Sequence, residues 1–214
     1  MKPLIIGLTG ASGSIYGIRL IQELAALGHK LHVIATPTAQ KVILYELGKE
    51  LGDFLEGLEN QVTVEGAHDF FSPVASGSYP AGAMIIAPCS MGTLGAIAHG
   101  LCPNLLARAA LVSLKEGRPL IILARETPLG EIELENMLKL SRAGALIYPA
   151  SPAFYHHPKT MGDLVDFLIG KILDRLGISH ELFEKWGENH KKSNEDVKNH
   201  GELQYFVETE GDFL

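Results

Sequence analysis

Short apolar segments alternate along the chain with longer segments in which apolar residues recur at helical spacing. The apolar segments predict five buried strands, over Leu4–Leu8, Lys30–Thr36, Ala83–Ala87, Pro119–Ala124 and Ala145–Tyr148. The helical segments predict helices over Ile15–Leu27, from Pro37 onward, and over Leu105–Lys115, Glu131–Leu140 and Met161–Leu176. Strands that do not alternate strictly and are separated by helices are typical of a parallel sheet covered on both faces. The pattern therefore predicts a single doubly wound α/β domain.

Local signals mark the ends of two of these helices. Pro37 suits a first helical turn, where the N–H group that proline lacks would have no partner. Thr160 is placed to cap the last predicted helix, with Asp163 three residues later as in a capping box. Gly177 follows that helix and suits the left-handed conformation in which helices often end.

The composition is that of an ordinary globular domain: 214 residues, of which 46% are apolar and 20% charged. A net charge of −7 argues against a nucleic-acid binder, which requires a basic face. The two cysteines, Cys89 and Cys102, do not make a disulfide framework, and no C-x-x-C pair indicates zinc. The apolar run after Lys2 is too short for a signal peptide, so we expect a soluble, cytoplasmic protein.

No Asp, Glu, Lys or Arg occurs from Phe70 to Ala107, a stretch of 38 residues. A membrane helix needs about 20 continuous apolar residues, whereas prolines and glycines interrupt this stretch repeatedly. We therefore expect it to be buried in the core, at a ligand site or at a subunit interface, and not in a membrane. An uncharged segment of this length in an acidic protein predicts a homo-oligomer.

The composition changes after Trp186. The segment 187–214 holds seven acidic residues and three lysines, and its main apolar cluster lies at 203–207. Such a composition is typical of a loosely docked extension rather than of a second core. The sequence therefore predicts a main domain over 1–186 and an acidic C-terminal extension over 187–214.

The first predicted strand runs into a glycine-rich turn, Gly7-Leu-Thr-Gly10-Ala-Ser12-Gly13. Glycines let the backbone approach a phosphate, which the start of a helix attracts. The turn is not G-x-G-x-x-G, and the next strand ends at Thr36 without an acid for a ribose diol. The pattern favours a mononucleotide over NAD, and it also fits a tight turn that binds nothing.

Two later strands end in residues that can carry chemistry. Ser90 and Thr93 stand at a helix start, where a hydroxyl either caps the helix or contacts a ligand. Arg125 and Glu126 emerge together, and they indicate either phosphate binding with proton transfer or a structural ion pair. Because carboxyl ends of parallel strands share one edge, we expect these residues and the glycine-rich turn to line one crevice. Cys89 is expected to be a buried, inert thiol.

Metal catalysis has no support in the sequence. His156 and His157 lie in a proline-rich loop, but adjacent histidines are poorly placed to chelate one ion. No H-E-x-x-H motif occurs.

Five segments in this order resemble the flavin prenyltransferases, the UbiX/Pad family: T-G-A-S-G-S-I-Y-G from Thr9, P-C-S-M-G-T-L from Pro88, N-L-L-A-R-A-A from Asn104, R-P-L-I-I-L-A-R-E-T-P-L from Arg118 and P-A-F-Y-H-H-P from Pro152. The resemblance spans about Lys2 to Trp186. It implies a Rossmann-like flavoprotein sandwich and a metal-independent transferase that joins a dimethylallyl group, from dimethylallyl monophosphate, to N5 and C6 of reduced FMN. The product, prenylated FMN, would pass to a UbiD-type decarboxylase, as in ubiquinone biosynthesis. The resemblance also suggests a dodecamer whose sites are completed by neighbouring subunits.

The resemblance implies roles for individual residues. Expected FMN contacts are Gly10, Ala11, Ser12, Thr36, Ser90, Met91, Gly92, Thr93 and Arg125. Expected around the prenyl phosphate are Arg108, Lys115, Arg125, Glu126, Tyr155 and Lys171. The catalytic set comprises Ser12, Glu46, Lys115, Glu126 and Trp186, with Glu46 near the flavin, Trp186 near the prenyl group and Glu126 transferring a proton.

Four positions depart from residues common in the family. Gly92 and Lys171 stand where many relatives have Lys and Arg, and Leu111 and His157 where Asp and Arg are common. These departures bear on substrate affinity more than on the type of reaction. Two alternatives stay open: an FMN-dependent oxidative cysteine decarboxylase, whose P-x-S-A-N-T motif has no counterpart here, and a non-catalytic FMN-binding or delivery module, which would not need the cations.

Overall fold

The computed structural model describes residues 1–186, so the predicted extension over 187–214 and its boundary lie outside the described residues. The described residues form one sheet of six strands: β1 (Leu4–Leu8), β2 (Leu31–Ala35), β3 (Val62–Glu65), β4 (Ala83–Cys89), β5 (Leu120–Ala124) and β6 (Leu146–Pro149). The strand order is β3-β2-β1-β4-β5-β6, and every neighbouring pair is parallel. The predicted doubly wound α/β fold is confirmed.

The helices within residues 1–186 are α1 (Ser14–Ala26), α2 (Pro37–Leu47), α3 (Leu51–Leu55), α4 (Met91–Ala98), α5 (Leu105–Lys115), α6 (Glu131–Arg142) and α7 (Met161–Leu176), with a 3-10 turn at Pro73–Ala75. Pro37 begins α2, and the Thr160 side chain caps α7 with Asp163 closing the capping box, as predicted. Gly177 ends α7 with a φ of 70°. In this part of the chain no helix combines the length and the apolar character needed to cross a bilayer.

Two short elements were not predicted, namely α3 and β3. β3 is an edge strand that pairs only with β2, and its Val64 is half exposed. An edge strand needs few apolar residues, because only part of its surface packs on the core. Several strand ends also differ from prediction by one or two residues: for example, β4 continues through Pro88 to Cys89, and β6 covers Leu146–Pro149 instead of Ala145–Tyr148.

Successive residues of the central strands supply two separate cores. Ile6 and Val33 face a core closed by α1 and α7, while Ile5 and Ile34 face a second core closed by α4 and α5. Because both faces of the sheet are covered, the strands are apolar without strict alternation.

The direction of the chain across the sheet reverses between β1 and β4. The chain moves outward from β1 through β2 to β3, and β4 then returns to the other side of β1. In such sheets ligands bind at the carboxyl ends of the strands that flank the reversal. The fold therefore points to the residues that follow β1 and β4.

Gly17 lets α1 pack directly on β4. A Cβ atom at this position would lie 2.3 Å from the carbonyl oxygen of Ala87 and 2.3 Å from a methyl group of Leu8. We expect Gly17→Ala to lower the free energy of unfolding by about 1–3 kcal/mol, because backbone of a central strand cannot easily move away. Urea denaturation measures this change.

Gly52→Ala is the matched control, since a Cβ there would have no neighbour within 4 Å. It should leave the stability unchanged or slightly raised. Equal midpoints for Gly17→Ala and the unmodified protein would contradict the close packing of α1 on β4.

Candidate active site

The glycine-rich turn after β1 contacts the first turn of α2. Gly13 has a φ of 96° and immediately precedes α1. A Cβ atom on Gly10 would be 2.4 Å from the side chain of Thr38, so the first turn of α2 touches the glycine-rich turn. Thr36 caps α2 by accepting a 3.1 Å hydrogen bond from the Ala39 N–H. Its own N–H donates to the carbonyl of Leu8, which holds the end of β2 at the same edge.

The last turn of α2 places Glu46 at the start of α1. The Glu46 carboxylate accepts hydrogen bonds from the Gly13 N–H at 3.0 Å and from the Ser14 N–H at 2.8 Å. Burial raises the pKa of Glu46, but hydrogen bonds from the Ser12 side chain and from the Ser14 and Gly13 backbone outweigh it, so its pKa is lower than usual. The anion-binding position at the start of α1 is thus filled by a carboxylate of the chain itself.

Thr9 connects the ends of β1 and β4. Its hydroxyl donates to the Pro88 carbonyl at 2.7 Å and accepts from the Ser90 N–H at 2.8 Å. Ser90 caps α4, and its side chain contacts the Thr93 N–H at 3.4 Å and the Thr93 hydroxyl at 3.2 Å. The glycine-rich turn and the Ser90–Thr93 turn therefore lie side by side, as expected. Thr9 was not predicted as a site residue, because its only signal in the sequence is a hydroxyl at a strand end.

Arg125 joins the end of β5 to the same turn. Its guanidinium Nε donates to the Ser12 carbonyl at 3.0 Å, and its backbone N–H donates to the Cys89 carbonyl at 3.3 Å. Burial raises the pKa of Tyr16, while the positive charge of Arg125 partly opposes this effect. The crevice therefore has a fixed cation facing the glycine-rich turn.

Arg125 and Glu126 do not form an ion pair in the described part of the chain. A Glu126 carboxylate oxygen accepts a 3.0 Å hydrogen bond from the Thr127 N–H, and the side chain is exposed. The interpretation of these two residues as a structural Arg–Glu pair is therefore wrong. The carboxylate stays accessible at the carboxyl edge of the sheet.

A cavity of about 150 Å³ opens beside Arg125, between the ends of β5 and β6 and the helix α6. Its lining combines apolar and polar side chains: Ala124, Arg125, Glu126, Thr127, Leu129, Met137, Pro149, Ala150 and Ser151. Apolar walls with a few convergent polar groups are typical of ligand sites, but this cavity is smaller than the usual range of about 300–1,000 Å³.

An aromatic cluster lies on the loop that follows β6. Tyr155 meets Trp186 edge to face with ring centroids 5.2 Å apart, and it meets Phe167 of α7 in the same way at 5.7 Å. Lys171 follows Phe167 by one helical turn, so it lies on the same face of α7. The structure thus brings Tyr155 and Trp186 together, next to the helix that carries Lys171.

Lys115 does not lie beside Arg125 in the same chain. It ends α5, just before β5 begins, whereas Arg125 follows the end of β5. A five-residue strand separates these two edges by about 16 Å. Lys115 is 67% exposed and contacts Glu116 at 3.2 Å. The structure therefore does not bring Lys115 to Arg125 within one chain, and its expected place around the prenyl phosphate stays a prediction.

Arg108 contacts the segment that precedes β4. Its Nε donates to the Ala75 carbonyl at 3.0 Å and so holds the uncharged segment against α5.

Cys89 is buried, and burial raises the pKa of its thiol to about 12, which confirms the expected inert cysteine. Among residues 1–186 no cluster of three or more His, Cys, Asp or Glu side chains could hold a metal ion.

Comparisons with known proteins show which proteins this chain is similar to. The Flavoprotein family model matches residues 1–173. The flavin prenyltransferase UbiX of Alkalihalophilus pseudofirmus is 50% identical over 194 residues, which cover 87% of this chain and 97% of the relative. The crystal structure of AnUbiX (PadA1) in complex with FMN and dimethylallyl pyrophosphate is 40% identical, with a TM-score of 0.83 over 86% of this chain and 97% of that one. A dodecameric FMN-dependent UbiX-like decarboxylase from Escherichia coli O157:H7 is 39% identical, with a TM-score of 0.82 over 87% and 99% of the two chains.

The contact between Glu46 and the start of α1 predicts a pH dependence of stability. Because the pKa of Glu46 is lower in the folded state, its stabilising effect is present above the usual carboxyl pKa and is lost as the pH falls through the folded pKa. Glu46→Gln should therefore melt at a lower temperature than the unmodified protein at pH 7. The difference should shrink as the pH falls from about 5 toward 3.

Melting curves of the flavin-free protein across this pH range measure the effect. Glu56→Gln, at an exposed glutamate outside the turn, serves as the control and should follow the unmodified protein. A difference between Glu46→Gln and the unmodified protein that does not depend on pH would contradict the interpretation.

Proposed function

The chain belongs to the flavoprotein family and, within it, to the flavin prenyltransferases, and on that premise we propose how its residues carry out the transfer. The reaction joins the dimethylallyl group of dimethylallyl monophosphate to N5 and C6 of reduced FMN. The observation that carries this assignment is 50% identity over 97% of a flavin prenyltransferase. Reduced FMN supplies the nucleophilic ring atoms when it is bound.

The crevice suits a flavin mononucleotide. The first N–H groups of α1 already bind Glu46, so the flavin phosphate is assigned to the start of α4, where the Ser90 and Thr93 hydroxyls lie beside first-turn N–H groups. Gly10, Ala11, Ser12 and Thr36 line the same edge and are assigned to the remainder of FMN, together with Met91, Gly92 and Arg125. The second strand also ends without an acidic residue for a ribose diol, which favours FMN over a dinucleotide.

Cationic side chains are assigned to the prenyl phosphate. A departing phosphate gains negative charge, which fixed cations stabilise. Arg125 supplies one cation at the crevice, and Lys171 supplies another beside Tyr155 and Trp186. The aromatic rings of Tyr155 and Trp186 exclude water from the allylic group.

Two carboxylates can move protons at this edge. Glu126 is accessible at the end of β5 and is assigned to remove the proton that the ring loses as the new bond forms. The Ser12 side chain helps to lower the pKa of Glu46, and these two residues offer a second proton path near the glycine-rich turn.

We further propose that the active site is completed by a second copy of the chain. Lys115 lies at the opposite edge of its own sheet, so it can reach a prenyl phosphate only in a neighbouring subunit. The uncharged segment exposes apolar side chains, including Phe71, which is 100% exposed. A dodecamer is the assembly we expect, and a UbiD-type decarboxylase is the expected recipient of the product. The cytoplasmic location stays a prediction.

Anaerobic incubation with reduced FMN and dimethylallyl monophosphate tests the function. A mass spectrum of the released flavin should show the mass of FMN plus one dimethylallyl group. Unchanged FMN would instead support a binding or delivery module. Oxidative loss of CO₂ from a peptide with a C-terminal cysteine would support a cysteine decarboxylase. A parallel incubation with the diphosphate identifies the preferred prenyl donor.

Substitutions at Arg125 and Glu126 test their separate roles. Arg125→Ala should raise the KM for the prenyl phosphate and lower kcat, since it removes a charge-assisted contact worth about 1.5–3 kcal/mol. Glu126→Gln keeps the shape of the side chain but cannot accept a proton, so kcat should fall by roughly 10²–10⁴ with FMN affinity little changed. Steady-state rates and FMN titrations measure both effects. Normal turnover by Glu126→Gln would assign the proton to the Ser12–Glu46 path or to the leaving phosphate.

A shared site predicts complementation between two defective proteins. Lys115→Ala and Arg125→Ala should each be strongly impaired alone. When the two chains are co-expressed with different tags and the mixed oligomers are isolated, about a quarter of the sites should regain both side chains. Anaerobic prenylation should then exceed the sum of the two parent activities. If both residues serve the same subunit, no site is restored and the mixture stays at the parents' level.

A further inference from the structure

We infer that Thr9 is a positioning residue for FMN: its hydroxyl sets the spacing between the glycine-rich turn and the Ser90–Thr93 turn, and thereby the affinity for the flavin phosphate. The inference rests on the proposed function, because it takes the start of α4 as the phosphate site. Thr9 does not need to touch the ligand to have this effect.

Thr9 links β1 to β4 where their backbone pairing is missing. The pairing of β1 with β4 ends at Gly7 and Ile86, before either strand reaches the crevice. Beyond that point the Thr9 hydroxyl donates to the Pro88 carbonyl at 2.7 Å and accepts from the Ser90 N–H at 2.8 Å. One side chain therefore continues the link between two strands after their backbones have stopped pairing.

This link is buried, and the Thr9 hydroxyl both donates and accepts a hydrogen bond. Thr9 is 2% exposed. If the hydroxyl were removed, the Ser90 N–H and the Pro88 carbonyl would lose their partner in a place that water hardly reaches. The Ser90 backbone would then be free to turn toward another acceptor.

Ser90 positions the groups that are assigned to the flavin phosphate. Ser90 caps α4 and holds the Thr93 hydroxyl at 3.2 Å, so a rotation of its backbone displaces both hydroxyls and the first N–H groups of the helix. These are the groups assigned to the flavin phosphate. A flavin without a phosphate does not use them, so its affinity should depend far less on Thr9.

The test compares FMN with riboflavin. Thr9→Val keeps the shape of the side chain and removes both hydrogen bonds, whereas Thr9→Ser keeps the hydroxyl. Thr9→Val should bind FMN about tenfold more weakly or worse, which corresponds to the loss of one such hydrogen bond. Its riboflavin affinity should change by less than about threefold, and Thr9→Ser should resemble the unmodified protein.

Ser113→Ala is the matched control. Ser113 is an equally buried hydroxyl that donates to the Ala109 carbonyl at 2.9 Å within α5, away from the crevice. Its loss should affect the melting temperature without changing the ratio of FMN to riboflavin affinity. A purely structural role of Thr9 would give the same result as Ser113→Ala.

Equal weakening of both flavins by Thr9→Val, or unchanged FMN affinity, would overturn the inference. If Thr9→Val does not fold, Thr9→Ala is measured in the same way, since it removes the hydroxyl and leaves room for water. Failure of the unmodified protein to bind either flavin would overturn the proposed function and this inference with it. Binding of FMN without prenyl transfer would contradict the proposed function alone.

Discussion

Hydrogen bonds that cross between strand ends hold the carboxyl edge of the sheet together, and the candidate site depends on them. Parallel pairing between β1 and β4 stops short of this edge. From there Thr9 bonds the segment after β4, the Arg125 N–H bonds Cys89, and the Arg125 guanidinium bonds Ser12. The ends of β1, β4 and β5 are thus each hydrogen-bonded to the other two. A site held in this way is set before the ligand arrives, so little ordering cost remains for binding.

The start of α1 shows how the same edge selects its ligand. A glycine-rich turn before a helix normally attracts a phosphate. In this chain the C-terminal end of α2 carries Glu46 to that position, and its carboxylate satisfies the Gly13 and Ser14 N–H groups. A phosphate there would meet a carboxylate at hydrogen-bond distance, and the repulsion of like charges would be strong in so small a space. The start of α1 is therefore unfavourable for a phosphate, which agrees with the proposal that the phosphate of a mononucleotide binds at the start of α4.

Much of the fold could be predicted from the sequence because local signals and tertiary packing agree. α5 and α7 have the predicted bounds, and in α7 the Thr160 cap and the Gly177 ending account for both ends. β3 was missed because an edge strand with a half-exposed valine lacks the apolar signal on which the prediction depends. The strand-end residues of the site could be located because carboxyl ends of parallel strands meet at one edge. The contact of Glu46 with Gly13 could not be predicted, since it depends on where α2 lies across that edge.

The position of Lys115 relative to Arg125 could not be predicted from the motifs. A motif shows which residues a family uses, but it does not show whether one chain brings them together, and here β5 separates Lys115 from Arg125. This separation has a physical consequence. Several cations gathered in one pocket without an anion would repel one another and be costly to bury. Because Lys115 is exposed and paired with Glu116, it lowers the stability of the isolated chain very little. If the cations meet only when subunits assemble, their repulsion does not destabilise the fold of the single chain. The bound phosphate then neutralises them at the subunit interface. A site shared between subunits is therefore the arrangement that electrostatics favours for a reaction in which a phosphate departs.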